Sequence, residues 1–102
     1  MTESRSYILG AYGGRDYILA LRANPGFGNP EGFAATVYFR DELSDTNVQI
    51  ARIDTADGFT HFDRLYRRDE QKDPVDLSLW EAVEKLSENW RTYAKMHDQK
   101  RP

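Results

Sequence analysis

Cysteine is missing altogether from this 102-residue chain, which removes disulfide staples, cysteine-type zinc sites and thiolate nucleophiles from consideration. Missing too is any apolar run near the roughly 18 to 20 residues needed to cross a bilayer. The leading Met-Thr-Glu-Ser-Arg-Ser lacks the basic-then-apolar order of a secretory signal, so a cytoplasmic location without membrane contact is the expectation. There is no surplus of positive charge: a net charge of −3 gives no general pull toward nucleic acid, and any such binding needs a local patch. Internal repeats and low-complexity stretches are absent. The length leaves room for one hydrophobic core, so residues 1–102 are expected to form a single domain.

What the chain does contain is enough apolar material for a packed interior and a clear strand rhythm over its first two thirds. Ser6 to Tyr12 and Tyr17 to Arg22 read as two strands joined at Gly13-Gly14, where adjacent glycines supply the positive φ of a tight hairpin. Asn24 to Gly32 holds three glycines and two prolines in nine residues, which predicts a loop: a connector between strands, or a flap carrying Phe27. Phe33 to Arg40 and Asn47 to Thr55 follow as strands. Asp57-Gly58 is a hairpin signal, and Phe59 to Tyr66 or Arg67 makes a fifth strand. The charged stretch Arg68 to Pro74 is expected to end the sheet.

The last third is helical. Leu79, Val83, Leu86, Trp90 and Tyr93 recur in steps of four and three, which places them on one stripe, and Ser78 with Glu81 has the spacing of a capping box, with Asp76 as a rival cap. The spacing predicts a helix over about 78–96. The fold class is therefore α+β: an antiparallel β-meander of about five strands, spanning roughly residues 6–67, with one amphipathic C-terminal helix on one face. Trp80, off the main stripe, is expected to be buried within its own monomer, with covering a sheet edge or entering a partner interface as the alternatives.

Strand alternation sorts the polar residues. Ile53 and Phe62 belong to the helix side of the fourth and fifth strands, which leaves Arg52, Asp54, His61 and Asp63 together on the opposite face, with Ile50 in the same set and Arg40 contributed by the third strand. A histidine near neutrality, a carboxylate to orient it and a guanidinium facing developing negative charge are the parts of acid–base chemistry on a phosphodiester. In that assignment His61 is the base, Asp54 or Asp63 orients it, Arg52 or Arg64 clamps phosphate, and the 2′-hydroxyl of RNA is the nucleophile. The same residues read structurally are cross-strand ion pairs on a solvated sheet. Arg64, Tyr66, Arg67 and Arg68 form a short basic run with an aromatic inside, suited to phosphate contact and base stacking, or to a solvated strand end. Asp54, Asp57, His61 and Asp63 match no metal motif, and neither a phosphate loop nor a dinucleotide fingerprint surrounds Gly13-Gly14, so no metal and no cofactor is expected. His97, near the helix C-terminus, fits a structural role beside the dipole.

The stretch Arg52-Ile53-Asp54-Thr55 followed by Phe59-Thr60-His61-Phe62-Asp63 resembles the TumE toxin family of small prokaryotic domains, which show an Arg-x-Asp-Asn stretch and then histidines in a similar sheet context. The resemblance covers residues 47 to 68. Thr55 stands where that family has the Asn, and one His where it has several. The resemblance implies a toxin-like member of a toxin–antitoxin pair acting on nucleic acid, with an antitoxin as protein partner and Arg52, Asp54 and His61 carried over, or an archaeal or phage-borne relative that kept the fold and lost or changed the activity. The other class of function compatible with the sequence is a non-enzymatic interaction module or homodimer that uses a sheet edge or the helix flank.

Overall fold

The computed structural model describes residues 2–56, 59–64 and 73–100. Among these residues six strands run in sequence order through one antiparallel sheet: β1 (Glu3–Tyr12), β2 (Arg15–Gly26), β3 (Asn29–Asp41), β4 (Thr46–Ala56), β5 (Phe59–Arg64) and the three-residue β6 (Asp73–Val75). The helix α1 (Leu79–Lys100) then packs on one face. This is the expected α+β meander, with five long strands and a short sixth. The sheet does not end before Pro74, as the charged stretch implied, because Asp73–Val75 pairs with β5. Among the described residues no helix is long and apolar enough to cross a membrane.

The β1–β2 turn has Gly13 at φ 62° and Gly14 at φ 79°, the two left-handed positions whose twist matches the flanking strands. Between β2 and β3 the expected loop is not a loop. β2 continues to Gly26 and β3 starts at Asn29, with Pro25 opposite Pro30 and a register shift after Asn24. The pairing of β1 stops at Ala23 and that of β4 at Ala34, so the hairpin runs on beyond the sheet as a two-stranded ribbon whose outer edges have no strand neighbour among the described residues. Proline, which removes a ladder donor, is tolerated at such edges and at bulges. Side chains take the place of the missing strands: Glu3 Oε1 accepts from the Phe27 N–H at 3.0 Å and Thr55 Oγ1 from the Phe33 N–H at 3.1 Å. Phe27 is no flap residue but a buried anchor, its ring 6.0 Å from that of Trp80 and capped by the Arg5 guanidinium at 4.7 Å. Trp80 thereby covers the ribbon tip while staying 48% exposed.

The core lies between the sheet and the helix. Tyr17, Leu19 and Leu21 of β2, Ala35, Val37 and Phe39 of β3, and Ile53 of β4 are essentially inaccessible, as are Leu79, Ala82, Leu86 and Ala94 of the helix. Trp90 lies on Gly10, where an added Cβ would stand 2.9 Å from Trp90 Cζ2, so the missing side chain is what lets the indole approach β1. Helix entry follows the capping box: Ser78 N–H donates to Glu81 Oε1 at 2.9 Å, and Glu81 N–H donates back to Ser78 Oγ at 3.2 Å. The backbone bond from Ser78 holds the Glu81 carboxyl below its ordinary pKa. At the other end Arg15 bonds Asp98 at 3.0 Å and stacks 4.3 Å from the Phe39 ring, tying the start of β2 to the last helical turn. His97 lies in that turn, edge-on to Phe39 at 5.6 Å and 3.6 Å from Asp98.

Candidate functional site on the open sheet face

The helix covers one face, so alternate residues of every strand point to the other. The registers line these residues up in three rows across the sheet. The first is Ile8–Ile18–Tyr38–Gln49, the second Ser6–Ala20–Thr36–Arg52–Asp63, and the third Ser4–Arg22–Ala34–Asp54–His61–Pro74. One end of the face is apolar, the floor is made of small residues, and the far end carries charge. A shallow depression of about 380 Å³ lies over this floor, lined by Ser4, Ser6, Ala20, Arg22, Thr36, Arg52 and Asp54 among others. A second, of about 320 Å³, continues toward the ribbon between Arg22, Asn24, Asp54 and Thr55.

Arg52, Asp54 and His61 are brought together as the alternation required. Asp54 and His61 are direct cross-strand partners, and Arg52 Nε stands 3.8 Å from Asp54 Oδ2, too long for a hydrogen bond but close enough for ionic attraction. The two side chains are only 30% and 21% exposed, so solvent screens the pair less than it would a free surface pair. The second carboxylate oxygen, Asp54 Oδ1, is buried and accepts no hydrogen bond among the described residues. A buried acceptor of that kind is costly unless a donor reaches it, and Asp54 is also a lining residue of both depressions. Asp63 is paired with Arg52 through the backbone register, and its side chain lies outside what is described.

Three expectations are corrected here. Arg40 does not join the cluster: it pairs with Asn47 at the opposite end of β3 and its guanidinium is taken by Asp45 and Asn47. Ile50 does not share the face of Arg52. The β3–β4 register shifts between Val37 and Tyr38, Gln49 faces Tyr38 while Ala51 faces Val37, and Ile50 is the extra residue, fully buried. Arg64 is paired with Ala51, in the alternate set to Arg52 and His61, so its register position is not in their row. Tyr66, Arg67 and Arg68 lie outside the described residues, as does Asp57. Sequence reasoning missed Arg22, which the third row sets two strands from Asp54. The signal was present, since Ile18, Ala20 and Arg22 alternate with Leu19 and Leu21, but only the register of β2 on β3 brings that set to the site. Among the described residues no group of three or more His, Asp or Glu side chains is arranged to hold a metal ion.

No curated protein and no solved structure matches the chain. A family model matches residues 7–102, nearly the whole of the sheet and all of the helix, and it carries no stated activity. The chain belongs to the family described as Domain of unknown function (DUF7718).

Proposed function

We propose that the open sheet face binds an RNA strand and that Arg52, Asp54 and His61 cleave it by metal-independent transfer to the 2′-oxygen. The observation that carries the reading is the buried, unfilled Asp54 Oδ1 in the same row as His61 and beside the depression that Arg22 and Arg52 line. Small side chains at Ala20, Ala34 and Ser6 let a sugar–phosphate backbone come close to the sheet. Arg22 and Arg52 then meet its phosphates, and Ile18 and Tyr38 offer an apolar end to a base. Asp54 orients the imidazole of His61, which takes the proton of the 2′-hydroxyl. The 2′-oxygen bonds to phosphorus, the bond to the 5′-oxygen breaks, and that oxygen takes a proton from water, leaving a 2′,3′-cyclic phosphate. Arg52 faces the charge that gathers on the phosphoryl oxygens.

The resemblance to the TumE family supports placing this activity in the toxic member of a toxin–antitoxin pair, with an antitoxin as partner and cytoplasmic RNA as substrate. The test is incubation of the wild type, His61→Ala and Asp54→Asn with mixed single-stranded and structured RNA in a chelator, reading cyclic-phosphate ends. Cleavage by the wild type, with a loss of at least a hundredfold in His61→Ala, is expected, since general acid–base groups contribute about 10²–10⁴-fold. Wild-type protein that leaves RNA intact overturns the enzyme. The second reading, a binding module without catalysis, then stands on the exposed Tyr7 and Ile8 of β1.

A further inference from the structure

We infer that β1 is the pairing edge of a homodimer, in which two copies join antiparallel about a two-fold axis at Ser6 and merge their open faces into one groove. The strand order leaves β1 at the edge, with β2 as its single strand neighbour among the described residues, so its outer row of N–H and C=O groups faces outward. Edge strands are ordinarily guarded by proline, charged side chains, bulges or an overhanging element. Glu3–Tyr12 contains no proline, its two charged side chains, Glu3 and Arg5, are turned onto the Phe27 amide and ring, and its one irregularity falls between Ile8 and Gly10, at the far end. Thr2 to Ile8 are exposed on both sides of the sheet, with Tyr7 44% and Ile8 77% exposed, so the helix does not overhang this stretch.

The occupant that fits is β1 itself. A two-fold axis normal to the sheet keeps each face on its own side, so only residues of like parity stand opposite each other. Centring on Arg5 would set two guanidinium groups against each other. Centring on Ser6 instead places Arg5, its guanidinium held over the Phe27 ring of its own copy, opposite the partner subunit's Tyr7, which is uncharged, on the helix side, so that like charges do not meet, and does so twice by symmetry. Ser4 then faces the partner's Ile8 on the open side, and the whole stretch Ser4 to Ile8 is paired before the irregularity is reached.

The site gains from this register. The row Arg52–Thr36–Ala20–Ser6 runs straight into the partner's copy of itself, seven strand steps of about 4.8 Å, or roughly 34 Å from one Arg52 to the other. The row from His61 through Ser4 continues into the partner's Ile8, Ile18 and Tyr38. Each charged end is thus extended by the apolar end of the other copy, in a groove no single copy possesses.

With no cysteine in the chain, a single introduced thiol reports only contacts between copies. Pairing one strand buries less than a standard interface, so mass is measured by sedimentation equilibrium up to about 100 μM. Twice the chain mass is expected, falling to the monomer in Tyr7→Lys/Ile8→Lys with unchanged far-UV circular dichroism. Under mild oxidation Ser6→Cys should crosslink to itself. Ser4→Cys and Ile8→Cys should crosslink when mixed and not alone, and Ser87→Cys on the helix should stay single. A wild type that remains monomeric, or crosslinking at Ser87→Cys as fast as at Ser6→Cys, overturns the dimer. No arm reads RNA cleavage, so this result and that of the ribonuclease assay are independent.

Discussion

Replacing Thr55 by valine tests how the β2–β3 ribbon is held once it leaves the sheet. The hydroxyl accepts from the Phe33 N–H at 3.1 Å and lies 3.4 Å from the Phe33 carbonyl, so one side chain serves a backbone donor and acceptor where β4 has stopped pairing. Valine keeps the shape and removes both bonds. Leaving a buried backbone group without a partner costs about 1–3 kcal/mol, and because Phe33 is at the margin of the core the lower half of that range, about 1–2 kcal/mol, is expected. For a domain of this size each kcal/mol lowers Tm by about 4–8 °C, which places the loss at about 5–15 °C. Urea unfolding should show a lower midpoint with an unchanged slope, and hydrogen exchange should accelerate at the Phe33 amide more than at Ala35. Thr55→Ser, which keeps the hydroxyl, should recover most of the difference. A valine variant with wild-type stability and unaltered exchange at Phe33 would refute the claim that a side chain stands in for a strand there.

Three further substitutions test the helix packing and the alkaline limb. Gly10 sits at φ 154° and its absent Cβ would meet Trp90 at 2.9 Å, whereas Gly14 at φ 79° has nothing within 4 Å of its Cβ position. Gly10→Ala should therefore cost about 1–3 kcal/mol and alter the near-UV signal of Trp90, while Gly14→Ala carries only a backbone cost of about 1–2 kcal/mol. Equal losses with an unchanged tryptophan signal would show that the indole does not rest on β1. Tyr17 has its hydroxyl pushed to a higher pKa by burial, with Arg15 beside it pulling part of the way back. The folded state thus keeps this proton longer than the unfolded state, so stability is complete below the ordinary tyrosine value near 10 and is lost as pH rises through the higher folded value. Urea midpoints measured between pH 8 and 11 should fall more steeply for the wild type than for Tyr17→Phe. Parallel curves would assign the alkaline loss elsewhere.

Several features of the fold were legible because they depend on local chemistry. The Gly13-Gly14 turn, the Ser78–Glu81 box and the stripe ending at Tyr93 each follow from residue types at fixed spacing, and the structure has them where the spacing put them. The ribbon was not legible, because proline and glycine density signals a loop only where a strand would need neighbours on both sides. Pro25 and Pro30 lie beyond the reach of β1 and β4, and the partners that make the extension tenable, Glu3 and Thr55, come from more than twenty residues away. The helix likewise runs past the expected end at 96 to Lys100, since Arg15 of β2 reaches Asp98 and Phe39 of β3 meets His97.

The site divides along the same line. Once Ile53 and Phe62 are inside, the period of two places Arg52, Asp54 and His61 outside, whatever the strands' ends do, and this part needed only the sequence. Which residues lie beside them is a matter of register, and register in this sheet is changed by an irregularity in each of the first three strand pairs. The bulge at Ile50 buries a residue that simple alternation sends to the open face, and the pairing of Ala34 with Asp54 carries Arg22 into the charged row while Arg40 is left at the far end of β3. A guanidinium two strands away in space and thirty-two residues away in sequence cannot be found from either segment alone. The same reasoning makes Arg22 the discriminating position for the function proposed. A cross-strand ion pair needs only Arg52 and Asp54, so if these are mere surface charges Arg22→Ala should be silent. A strand of phosphates lying along the floor needs a second cation, so Arg22→Ala should then weaken RNA binding and flatten its salt dependence.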